Sequence, residues 1–203
     1  MWDLVLKHAA VVQALVGLLT ALVWIIYLHM FVSGMRRQRR TEILITLGGD
    51  WGLQGRIIIS NLGLEPIYVL DVLLKNCVDE QETTISVTDR AELHPSDHPS
   101  LELATLQRPL KSGEHVEIGS LDELLERASR HGAFDRNDSE LSHIEITVAA
   151  VTAAASSIVG ARRVFRVQLA DGLAQMRPTS LWAEQIRSGR GKRDIVKQLT
   201  GNL

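Results

Sequence analysis

Residues 9–35, AAVVQALVGLLTALVWIIYLHMFVSGM, contain no Asp, Glu, Lys or Arg. A helix needs only about 20 apolar residues to cross roughly 30 Å of hydrocarbon. A single apolar segment entering lipid can satisfy its own peptide groups only as a helix, so this stretch predicts a transmembrane helix. The cluster Arg36-Arg37-Gln38-Arg39-Arg40 follows with no spacer. A secretory signal peptide would instead carry its charge ahead of a shorter apolar core and a small-residue cleavage site behind it. Only Lys7 and the terminal amine precede the core here, partly offset by Asp3. The positive-inside rule then directs Arg36, Arg37, Arg39 and Arg40 to the cytoplasm, among its headgroups, and the N-terminus outward.

Working outward, residues 1–8 are expected outside, 9–35 in the bilayer, 36–40 as a basic juxtamembrane segment, 41–177 as a cytoplasmic domain and 178–203 as a basic tail, amphipathic or disordered. Within the span, Ala10, Ala14, Gly17 and Ala21 recur on one stripe, and small residues let helices approach closely where apolar attraction cannot drive association. Gln13, Thr20 and Tyr27 repeat every seven residues beside it and offer hydrogen bonds to another helix. Ala10, Gln13, Ala14, Gly17, Thr20 and Ala21 are therefore the candidate helix-packing residues. The plainer alternative is that Ala and Gly are simply common in spanning helices.

The overall charge of −2 hides a partition. Residues 41–177 hold 12 Lys and Arg against 21 Asp and Glu, whereas residues 178–203 hold 5 against 2. An acidic body disfavours nucleic acid as its partner, since phosphate neutralisation needs clustered cations. The single Cys77 cannot form an internal disulfide, which fits a reducing compartment and argues against a disulfide scaffold, a cysteine zinc site or a CxxC redox motif.

After Arg40 the chain breaks into short runs of Ile, Val, Leu and Thr between turn residues, the pattern of β-strands. Strands are expected at 42–47 (EILITL), 55–61 (GRIIISN), 67–74 (IYVLDVLL) and 83–88 (TTISVT). The glycines of Gly48-Gly49-Asp50-Trp51-Gly52 precede a strand, and a phosphate cradle needs a helix N-terminus there. Residues 89–109 predict a long loop with at most a short strand at 101–106. After a strand at 114–118, Ser120-Leu-Asp-Glu123 is a capping box ahead of the helical stripe Leu121, Leu124, Leu125 and Ala128, with Gly132 as a stop. A strand resumes at 143–155, and 163–170 and 173–177 flank Asp171-Gly172 as a hairpin. In the tail, Gly189-Arg190-Gly191 reads as a break between two short amphipathic pieces or within a frayed end. Seven or eight short strands and one inserted helix suggest an antiparallel, immunoglobulin-like β-sandwich behind the transmembrane helix.

Little here points to chemistry. His94-Pro-Ser-Asp97-His98 has metal-ligand residue types, but Pro95 and Pro99 oppose the helix that would converge the histidines, and a polar surface loop is the simpler reading. His115 and His143 fall in predicted strands. Asp79, Glu80 and Glu82 read as a solvated charge run. No Gly-x-Ser-x-Gly, Walker-type loop or HExxH occurs. No catalytic residue, cofactor or metal ligand is assigned.

Trp24-Ile-Ile-Tyr27, Phe31, Ser33 and the arginine cluster, followed by Ile43-Leu-Ile, Ile59-Ser60-Asn61 and Glu65-Pro66-Ile67-Tyr68, resemble a group of uncharacterised bacterial single-span membrane proteins. Those proteins carry an arginine cluster after the N-terminal helix and a cytoplasmic β domain. The resemblance covers about the first third of the chain and implies a bacterial inner-membrane location, with no activity to transfer. The expectation is a non-enzymatic, membrane-anchored interaction module whose partners are the lipid bilayer and other transmembrane helices or a membrane complex. A membrane-tethered ligand-sensing domain is the alternative, and a metal enzyme using His94, Asp97 and His98 stands behind it.

Overall fold

The computed structural model describes residues 2–38, 41–49, 52, 54–78, 81–90, 104–130, 142–152, 158–170 and 173–201. The chain divides into two units, Met1–Arg40 and Thr41–Leu203. The first is one helix, α1 (Trp2–Gln38). Its stretch Lys7–Met35 is long and apolar enough to cross a membrane, and no part of it is buried by protein. At about 1.5 Å per residue those 29 residues rise roughly 43 Å, more than the hydrocarbon requires.

The second unit is mostly antiparallel β-sheet. Its strands are β1 (Ile43–Gly48), β2 (Arg56–Asn61), β3 (Ile67–Val78), β4 (Gln81–Ser86), β5 (Pro109–Leu110), β6 (His115–Ser120), β7 (His143–Thr152), β8 (Ile158–Ala170), β9 (Leu173–Pro178) and β10 (Glu184–Ile186). Two helices accompany them, α2 (Leu121–Arg130) and α3 (Gly189–Gly201). One sheet has the order β1-β2-β6, and the other β10-β8-β7-β3-β4, with β5 beside β3 and β9 beside β8. Both feed one buried cluster. Ile45, Ile57, Ile59 and Ile118 come from the first sheet, Val72, Leu74, Ile146 and Phe165 from the second, and Leu124 and Ala128 of α2 join them.

The alternation of β2 explains its placement: Ile57, Ile59 and Asn61 are buried while Arg56 is exposed. Two irregularities bend the sheets. In β3 the pairing with β7 shifts between Val69 and Asp71, and the intervening Leu70 carbonyl accepts from Gln107 Nε2 at 3.0 Å. In β6 the pairing with β2 shifts beside Gly119, whose φ of 116° is a conformation that side-chain-bearing residues rarely adopt.

Several boundaries differ from expectation. β3 extends past Leu74 to Val78 because β4 and β7 pair with it along both edges. Only an isolated bridge, Asp89 to Thr105, lies within the expected 101–106 strand, of which 101–103 are outside the described residues. A two-residue β5 follows at Pro109 instead. β8 starts at Ile158, ahead of the expected Arg163, because the small Gly160 and Ala161 are strand residues whose alternation a hydrophobicity pattern cannot register. Gly189-Arg190-Gly191, read as a break, opens α3. The capping box forms as expected: Glu123 N donates to Ser120 Oγ and Ser120 N to Glu123 Oε2, both at 3.2 Å.

Candidate functional site

The six candidate packing residues of α1, Ala10, Gln13, Ala14, Gly17, Thr20 and Ala21, are all exposed. Thr20 Oγ1 donates back to Val16 O at 2.8 Å, so its proton is engaged within its own helix and only its lone pairs face outward. One turn further on, Trp24 and Tyr27 meet edge to face with centroids 6.0 Å apart. Arg39 and Arg40, and the side chains of Arg36 and Arg37, lie outside the described residues, as does the whole 91–100 segment with His94, Asp97 and His98. Asp79 and Glu80 are outside too.

In the β unit, the noteworthy polar groups are buried arginines that sequence patterns treat as ordinary surface charge. Arg163 projects from the core face of β8, where alternation places it with Phe165, and its guanidinium lies 5.6 Å from that ring centroid. It donates to the Ile45 carbonyl of β1, to Ser180 O at 3.0 Å and to Leu181 O at 3.2 Å. Burial pushes its pKa down from the ordinary guanidinium value, and the three carbonyls hold the cation in place. Beside it, Gln185 of β10 accepts from Ile43 N at 3.1 Å and donates to Ile43 O at 2.7 Å. At Ile43 and Ile45 the outer edge of β1 is thus met by side chains rather than by a strand, which blunts that part of an edge through which sheets can associate.

On the opposite border, Arg127 of α2 is 1% exposed. It donates to Ile118 O at 2.8 Å and Val87 O at 3.3 Å, tying β6 to the segment after β4. Glu123 Oε2 lies 3.8 Å from it, and Glu123 Oε1 lies 3.4 Å from Arg56. The signals for these residues existed in the chain. Arg127 falls on the Leu124–Ala128 stripe, and Arg163 falls two residues before Phe165 on one face of a strand.

By tying down Ser180 and Leu181, Arg163 also holds a loop whose side chains stand out. Leu181 is 74% and Trp182 70% exposed, and Ser180 Oγ donates to Trp182 O at 2.7 Å. Between α3, β8 and β10 there is a cleft of about 380 Å³ lined by Arg162, Glu184, Arg190 and Asp194 among others. Arg162 is already engaged there by Glu184, at 2.9 Å. Among the described residues no three of His, Cys, Asp and Glu come together to hold a metal.

No protein-family model, curated protein or solved structure matches the chain. Function therefore has to be argued from the two units themselves.

Proposed function

We propose that this chain is a membrane-anchored interaction module, an accessory or scaffolding subunit of a membrane complex. In this reading α1 crosses a bacterial inner membrane once, with the N-terminus outside and the β domain in the cytoplasm. The observation that carries it is an apolar helix of 29 residues with no protein cover, which lipid or other helices must solvate. The arginines that follow the span support the orientation. The sheet orders β1-β2-β6 and β4-β3-β7-β8, with the chain changing sheet between β2 and β3, support an immunoglobulin-like sandwich extended by β9 and β10. Kinship with the bacterial single-span group described above belongs to the same proposal.

The protein-facing contact we assign to Leu181 and Trp182. A tryptophan on a rigid loop presents a large contact area with little ordering entropy, the usual character of an interface anchor. The proposal includes no reaction, cofactor or metal. A ligand-sensing role has the cleft beside α3 in its favour, yet Arg162 in that cleft is already paired.

Photo-crosslinking in native membranes tests the reading, with a benzophenone amino acid placed at Gly17 and at Trp182 in turn. Adducts to a second protein are expected at both positions. Lipid alone around the helix, with nothing joined to the domain, would overturn it. A reporter at the C-terminus that matures only outside the cell would overturn the orientation.

A further inference from the structure

We propose that the Leu62-Gly63-Leu64 loop is a second membrane contact, its two leucines entering the headgroup region of the bilayer that holds α1. This rests on the spanning reading of α1 and adds a lipid-binding element in the β domain.

The loop is built around Asn61, which is fully buried. Asn61 Nδ2 donates to Glu65 O at 2.9 Å, Leu110 O at 3.1 Å and Lys111 O at 3.3 Å, while Oδ1 accepts from Gly63 N at 3.0 Å. Its backbone pairs with Gly113 and Glu114. One side chain thereby binds the loop after β2 to the turn between β5 and β6. The loop is tied as firmly to the start of the domain. Leu62 N donates to Glu42 O at 2.8 Å, and a Cβ on Gly63 would come within 3.2 Å of Thr41 Cα and Glu42 N.

A loop this well fixed could have turned its leucines inward. Instead Leu62 is 55% and Leu64 63% exposed, and two leucines flanking a glycine make a small apolar knuckle rather than a scattered surface residue. Chain length selects what the knuckle meets. Thr41 follows the last helical residue, Gln38, by three residues, a tether of at most about 11 Å when fully extended. In the spanning reading so short a tether leaves Thr41, and with it the loop packed on it, within reach of the headgroup layer that follows the span. Of the carboxylates nearby, Glu42 is paired with Arg187 at 2.6 Å and Glu114 lies 3.9 Å from Lys111, while Glu65, next to Leu64, is partly buried.

The test uses full-length protein carrying Cys77→Ser in vesicles of phosphatidylcholine and phosphatidylglycerol in equal parts. A bimane label is attached through Leu64→Cys, with Leu19→Cys and Gln54→Cys as references, and nitroxide lipids quench at shallow or deep positions. The label at 64 should lose roughly half its emission to the shallow nitroxide, because interfacial side chains sit only about 5–10 Å below the headgroup boundary. The label at 19 should respond to the deep nitroxide and that at 54, at the end of β1 away from Thr41, to neither. An unquenched label at 64 with a quenched label at 19 overturns the loop contact and leaves the span standing. An unquenched label at 19 overturns the span, and the loop contact with it. A label at 64 shielded from aqueous iodide yet untouched by either lipid probe would assign the knuckle to a protein neighbour and overturn the lipid contact.

Discussion

The side-chain amide of Gln185 pairs with both backbone groups of Ile43, accepting at 3.1 Å and donating at 2.7 Å, so that one residue from the C-terminal part of the domain substitutes for a neighbouring strand at its first. Gln185→Ala leaves the Ile43 amide and carbonyl without these partners and should destabilise the protein by about 1–2 kcal/mol. Hydrogen exchange at the Ile43 amide reads it directly, with faster exchange expected there and little change in β7. Gln185→Glu keeps the acceptor but turns a carboxylate oxygen toward the Ile43 carbonyl, and should be no better than alanine.

Arg163→Met removes the donors to Ile45, Ser180 and Leu181. A loss of about 2–3 kcal/mol is expected, since hydrogen bonds from a charged donor exceed neutral ones, together with faster proteolysis at the Leu181–Trp182 loop. Arg163→Lys retains a charge without the planar fork and should recover only part of the loss. Because folding lowers the pKa of this cation, the charged form carries a folding cost at every pH below the folded pKa, relieved as pH rises through it. An arginine keeps its proton throughout the neutral range, so the deficit of Arg163→Met should be constant there in chemical denaturation.

Glu123 caps α2 and also faces Arg127 and Arg56. Glu123→Gln preserves a capping-box acceptor and should cost little of the cap. Glu123→Ala abolishes it and should cost about 1 kcal/mol. If the two variants melt together, the cap is not what the residue contributes.

Gly119→Ala combines a φ of 116° with a new Cβ that would collide with Glu123 Oε2 and stand 3.0 Å from Arg127 Nη2. A penalty of about 1–3 kcal/mol is expected from the backbone alone. Equal stability to the parent protein by thermal unfolding would show that this turn relaxes freely.

α3 docks through Ile195, 2% exposed, above Gly160. A Cβ at position 160 would meet Ile195 Cδ1 and the Val148 carbonyl, each at 2.8 Å. Gly160→Val should therefore lift the helix. Amide protection across 189–201 should fall while that of β3 and β7 persists, and Ile195→Ala should reproduce the pattern without straining β8.

The sequence alone determined the features that depend on near neighbours. An uncharged apolar run specifies a helix long and apolar enough to cross a membrane. Ser120 and Glu123 specify a helix start because their partners lie three residues away. Alternation in Ile57, Ile59 and Asn61 specifies a strand with one buried face. Tertiary structure alone decided what closes the domain. Arg163 reaches Ile45 across 118 residues and Gln185 reaches Ile43 across 142, and although alternation puts Arg163 on the face of Phe165, no local pattern says which carbonyls will receive it. The same holds for Gly160, whose small size acquires meaning only when α3 lies across it. It holds also for Asn61, whose amide has four partners only once the loop after β2 has met the turn between β5 and β6.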